Sequence, residues 1–188
     1  EKLMAGERKQ QILETLAKML ESPKREKITT ASLAAKLDVS EAALYRHFAN
    51  KAQMFEGLIV FIEETIFGLI NKICSEETDG QKQLQRILSM LLVFAEKNPG
   101  MTRVLIGDAL VNEDEKLQVR INQLTDRIEV TLKQSLRIAE TQTGHKTDAE
   151  AQANLMLCFV MGRWQQFAKS GFKRKPMEFA QQQIVVLI

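Results

Sequence analysis

The chain is poor in the residues that interrupt or staple a fold. Its 188 residues include three prolines, nine glycines and two cysteines. Proline removes an amide donor and clashes with the preceding turn, so its scarcity leaves long stretches free to be continuous helix. Cys74 and Cys158 lie far apart and match no metal-ligand spacing, and they suit a reducing cytoplasm. Cys158, inside LMLCFVM, is expected to be a small core residue. His47 has no neighbouring His, Cys or carboxylate cluster, which argues against a metal ligand or a catalytic base. No nucleophile–base pair and no glycine-rich phosphate loop is present, so neither an enzyme nor a cofactor is expected. No uncharged apolar run is long enough for a membrane span. The opening EKLMAGERKQ lacks the apolar core of a signal peptide. It also lacks an initiator Met, and the last residues stop inside an apolar run, so longer natural ends are expected.

What is present is a helix-rich, soluble composition, 45% apolar and 27% charged. The net charge of +2 is unevenly spread: the first 51 residues carry ten Lys/Arg against seven Asp/Glu, the remaining 137 sixteen against seventeen. So mild a basic excess does not by itself indicate a nucleic-acid partner. The case for one rests on residues 28–51, ITTASLAAKLDVSEAALYRHFANK.

Apolar spacing predicts an all-α chain. A first helix is expected over about Gly6–Glu21, with Ile12, Leu13, Leu16, Ala17 and Leu20 inward, ended by Pro23 and charge. Two short helices follow, capped by Thr29 or Thr30 and by Ser40, and joined by a turn at Asp38-Val39. Asp38 tolerates the left-handed backbone such a turn needs. Asn50 is placed to cap a long helix from Lys51 to about Cys74. Further helices are expected over Gln81–Lys97, Met101–Val111, Asp114–Ala139 and Asp148–Lys169, with a break at Asn98-Pro99-Gly100 and an apolar end at 184–188. The division of labour is a head, residues 1–50, and a body, residues 51–188.

The head has the ingredients of a helix-turn-helix. Ala34 is small enough for a close helix crossing, and Leu33, Leu37, Val39, Leu44 and Phe48 supply a small core. The second of the paired helices then presents Ser40, Glu41, Ala43, Tyr45, Arg46 and His47, a thin polar face that suits a major groove. Tyr45 and His47 can donate to phosphates, Lys51 can reach one beside a helix N-terminus, and Thr29 and Thr30 stand at the other phosphate rail. Arg46 suits either a guanine edge or a phosphate.

With these residues the chain resembles the TetR family of DNA-binding proteins. The resemblance implies a three-helix head with a helix-turn-helix, a connecting fourth helix and a helical dimerisation body. The strings SEAALYRHFANKAQMFEGLIVFIEE and LLVFAEKNPGMTRVLIGDALVNEDEKLQVRINQLTDRIE further resemble a nucleoid-occlusion group of that family. Its members bind chromosomal sites and antagonise assembly of the FtsZ ring. That second resemblance implies a groove for the FtsZ C-terminal tail at Phe61 and Glu64 on the fourth helix, and Phe94, Lys97 and Asn98 on the fifth.

The body has two further readings of its own. Gly162 with Ala149, Ala151 and Ala153 would allow close approach at a two-fold axis, and Met156, Phe159, Trp164 and Phe167 would add contact area. A homodimer through this helix and the Asp114–Ala139 helix should hold two recognition helices roughly 34–36 Å apart on a palindromic duplex site. The alternative is a ligand-responsive repressor of TetR type, with Met54, Met90, Met101, Met156 and Met161 lining an apolar pocket rather than filling the core. Either way the expected place is the cytoplasm, on the nucleoid.

Overall fold

The computed structural model describes residues 5–22 and 26–188. All regular structure among these residues is helical. Helix α1 spans Ala5–Leu20, α2 Thr30–Lys36, α3 Glu41–Tyr45 and α4 Lys51–Glu76. The body continues with α5 (Gly80–Lys97), α6 (Pro99–Leu105), a 3-10 turn (Asp108–Leu110), α7 (Glu115–Thr143), α8 (Ala149–Lys169) and α9 (Ala180–Leu187). No helix among the described residues is long and apolar enough to cross a membrane.

Most boundaries follow from side-chain caps. Asn50, Asp79, Asp114 and Asp148 each accept an amide hydrogen bond from the first turn of α4, α5, α7 and α8. The break expected at Pro23 lies outside the described residues. The break expected at Asn98-Pro99-Gly100 is shorter than anticipated. Proline stands at the first position of α6, where its missing amide costs nothing, and Gly100 lies inside that helix. The helix expected over Met101–Val111 instead ends at Leu105, and Gly107 turns the chain with φ 77°. The apolar end is a helix of its own, α9, preceded by Phe179 at φ 62°.

Helix α5 runs through the middle of the body, packed by α4, α6, α7, α8 and α9. Leu84, Ile87, Leu88, Leu91, Leu92 and Ala95 are fully enclosed. Trp164 of α8, also fully buried, donates its indole N–H to the Leu91 carbonyl at 3.1 Å. The head docks on this body through α1, which packs on α4 and α6. Leu13 and Phe48 lie against Gly57 of α4, and a Cβ at Gly100 of α6 would run into the Ala17 carbonyl of α1.

Three expectations about the outer face of α8 need correction. Met156, Trp164 and Phe167 are fully buried within one chain and are unavailable to a partner. Ala153 is buried as well. Cys158, expected in the core, is exposed. The reason is rotation: along an all-apolar run, Met156, Leu157 and Val160 take the inward positions, leaving Leu155, Cys158 and Met161 outside.

Candidate nucleic-acid interface

Helix α2 opens with a reciprocal cap. Thr29 Oγ1 accepts from the Ser32 amide at 3.0 Å, and Ser32 Oγ accepts from the Thr29 amide at 3.0 Å. Leu37 ends the helix, and Asp38 adopts φ 54°, the left-handed turn anticipated for it. The Val39 amide then donates to the Ala34 carbonyl at 3.0 Å, which pins the turn against the small crossing residue. Ser40 Oγ accepts from the Ala43 amide and starts α3. Regular helix stops at Tyr45, though the His47 and Phe48 amides still bond to the Leu44 carbonyl. Leu33, Ala34, Leu44 and Phe48 are buried beneath, and Leu37 and Val39 are partly buried.

Three of the anticipated residues, Thr30, Glu41 and Tyr45, are joined directly. Thr29, Ser40, Glu41, Tyr45 and Arg46 are exposed, while Thr30, Ala43 and His47 are partly exposed. A hydrogen-bond chain crosses from α3 to α2: Tyr45 Oη donates to Thr30 Oγ1 at 3.3 Å, and Thr30 Oγ1 donates to Glu41 Oε2 at 2.6 Å. This chain fixes the Tyr45 phenol and the Glu41 carboxylate on one surface. It involves residues 11 and 15 positions apart, beyond what local spacing reveals.

Lys51 stands apart. It begins α4, but its Nζ donates to Glu113 Oε1 at 2.6 Å and lies over the Phe55 ring, with only 20% of the side chain exposed. Glu113 follows the 3-10 turn, 62 residues away, and no pattern near Lys51 announces it.

The second group of expected site residues falls on two packed helices, α4 and α5. Phe61 is 37% exposed, and Glu64 and Lys97 are exposed. Asn98 ends α5, its Nδ2 donating to the Phe94 carbonyl at 2.8 Å. Phe94 is a correction: at 5% exposure it belongs to the core, because α5 is surrounded by its neighbours. Helix α4 buries Phe55, Leu58, Ile59, Ile62, Ile66, Phe67 and Ile70, and leaves Phe61 and Leu69 outside. Sequence reasoning misses Leu69 as a surface residue; its place on a second apolar face of α4 is the available signal.

Residues 25–58 match the family described as bacterial regulatory proteins, tetR family, and residues 78–188 match the SlmA-like, tetracyclin repressor-like C-terminal domain. Among solved structures, the MbdR regulator from Azoarcus sp. CIB superposes with a TM-score of 0.80 at 14% identity, covering 95% of each chain. The TetR family regulator PfmR from Thermus thermophilus gives 0.75 at 21% identity, covering 94% of this chain and 93% of that one. At such identities these two show the fold. Relatives in sequence go further. The chain is 54% identical over 173 residues to the nucleoid occlusion factor SlmA of Alteromonas mediterranea, covering 91% of this chain and 89% of that protein. It is 51% identical over 187 residues to the SlmA of Shewanella pealeana, covering 95% of both. With half its residues shared over nearly its whole length, the chain belongs to the TetR family and, within it, to the SlmA group of nucleoid occlusion factors.

Proposed function

We propose that the protein works on the nucleoid as a two-fold homodimer, with residues 1–50 as its DNA-binding head and 51–188 as its body. Thr29, Thr30, Ser40, Glu41, Ala43, Tyr45, Arg46, His47 and Lys51 form the docking face for a palindromic duplex. Bound there, the dimer takes the C-terminal tail of FtsZ along α4 and α5 and so holds back ring assembly. Phe61 and Leu69 supply apolar contacts, Glu64, Lys97 and Asn98 polar ones, and Phe94 the core behind them.

The exposure of Phe61 carries this reading. A large aromatic side chain left 37% exposed midway along a helix that buries nine other apolar residues, with Leu69 exposed on the same helix, supports an apolar contact with a partner. That helix begins at Lys51, inside the docking face, so the two surfaces share one rigid element. The membership in the SlmA group supports the same assignment. The ligand-responsive alternative finds less support, since Met54 and Met156 are fully buried in the core.

The test is a titration of a labelled FtsZ C-terminal peptide into the DNA-bound protein. Saturable binding is expected, weakened by Phe61→Ala while DNA affinity and the melting temperature stay unchanged. Absence of binding at peptide concentrations on the order of tens of micromolar overturns the reading.

A further inference from the structure

Lys51 and Glu113 form a pair that is tighter and more enclosed than a surface ion pair. The 2.6 Å contact leaves 20% of the lysine and 11% of the glutamate side chain exposed. The Phe55 ring flanks the ammonium group at 5.7 Å. With that partner and only 20% of its side chain exposed, Lys51 is less open to a duplex than Ser40, Glu41 or Tyr45, which are exposed. Glu113 closes a loop with two left-handed residues, Gly107 and Asn112, and is held there by its amide bond to the Leu110 carbonyl. A recess of about 270 Å³ beside it is lined by Leu20, Phe55, Arg103 and Glu113, at the junction of head and body.

We propose that the Lys51–Glu113 pair is the DNA-free position of a two-state contact, in which Glu113 competes with a backbone phosphate for the Lys51 ammonium group. The proposal rests on the docking of Lys51 given above. The lysine has a four-carbon stem that can swing Nζ from Glu113 to the surface without moving α4. A phosphate then replaces the carboxylate as its charge-assisted partner. Glu113 is left as an enclosed carboxylate without that lysine, which is costly, so the loop moves to let water reach it through the recess. That loop leads directly to Asp114, the cap of α7, and α7 is clamped to α4 by Arg120, which bonds Glu63 and Glu56. Occupation of DNA is thereby passed from the head to the body by a single exchange of partners. By reciprocity, anything that holds Glu113 in place weakens DNA binding.

The test uses Glu113→Gln, Lys51→Gln and the double variant, each titrated against a fluorescein-labelled duplex of mixed sequence at low salt, where phosphate contacts dominate. Glu113→Gln should bind about five-fold tighter or more. In the Lys51→Gln background the same change should have no effect, which separates partner competition from simple removal of a negative charge near DNA. Hydrogen exchange on the unaltered protein gives an independent readout that does not depend on the variants folding. Duplex should speed exchange of the Asn112 and Glu113 amides, and Lys51→Gln should abolish that response. Equal or weaker binding by Glu113→Gln, or no change in loop exchange on adding duplex to the unaltered protein, overturns the proposal. Full affinity in Lys51→Gln instead removes Lys51 from the docking face, a separate failure.

Discussion

Arg103 of α6 donates from Nη1 to the backbone carbonyl of Leu20, the last residue of α1, at 3.1 Å. The same guanidinium donates from Nε to Asp108 at 3.1 Å, and Lys169 of α8 donates to the other oxygen of that carboxylate at 3.0 Å. A buried body residue therefore caps the end of the first head helix and ties it to two further elements.

Removing this guanidinium should cost far more than a surface change. Arg103→Met leaves the Leu20 carbonyl without its donor and Asp108 short of a cation, so a loss of about 3 kcal/mol is expected in urea unfolding. A loss below about 1 kcal/mol would show the carbonyl and carboxylate to be satisfied by water.

The same cluster sets a pH dependence. Burial alone would raise the Asp108 carboxyl, but the hydrogen bonds and charges of Lys169 and Arg103 outweigh it and hold the group below the ordinary carboxylate value. A depressed folded-state value means stability that is fully present above the unfolded value of about 3.9 and is lost as pH falls through the folded one. The stability advantage over Asp108→Asn should therefore be constant near neutrality and shrink on acidification below about pH 4. Thermal melting of both proteins across that range measures it; a gap that widens on acidification contradicts the assigned direction.

Two glycines in helices should respond in opposite ways to alanine. At Gly100 the added methyl meets the Ala17 backbone carbonyl, which cannot yield without parting α6 from α1, and a destabilisation of about 2 kcal/mol is expected. At Gly68 a Cβ meets nothing within 4 Å, and removing glycine from a helix interior should stabilise by roughly 0.5–1 kcal/mol. Chemical denaturation of both variants checks the pair, and equal effects would refute the close α1–α6 approach.

Gly162 is also open within one chain, with nothing within 4 Å of a built Cβ, and it neighbours the exposed Met161, Cys158 and Leu155 on α8. Gly162→Arg should leave the circular dichroism spectrum intact and, if the proposed dimer pairs through this face of α8, yield a monomer in sedimentation. A dimer that survives this change pairs through another face.

On the head, Tyr45→Ala combined with Lys51→Ala should weaken duplex binding about ten-fold through lost phosphate contacts, measured well below the melting temperature because Lys51→Ala also leaves the enclosed Glu113 without its partner. Unaltered affinity would mean that the docking face lies elsewhere.

Much of this was legible in the chain itself, for local reasons. Capping residues such as Ser40, Asn50, Asp114 and Asp148 act on amides two or three positions away, and the left-handed turn at Asp38 is a property of one residue in its own context. What escaped is what depends on partners distant in sequence. Glu113 lies 62 positions from Lys51, and Leu20 lies 83 from Arg103. Composition also misled at LMLCFVM, where every position is apolar and periodicity cannot say which face of α8 points inward. Phe94 posed the opposite problem: resemblance implied a surface groove, while the crowding around α5 encloses it.

Because Gly57 of α4 receives Leu13 and Phe48, and Gly100 of α6 receives Ala17, the head has no floor of its own. A fragment cut at residue 50 would be left with a raw apolar underside, and a chimera made by grafting only that fragment onto another body would need matching glycines to seat it.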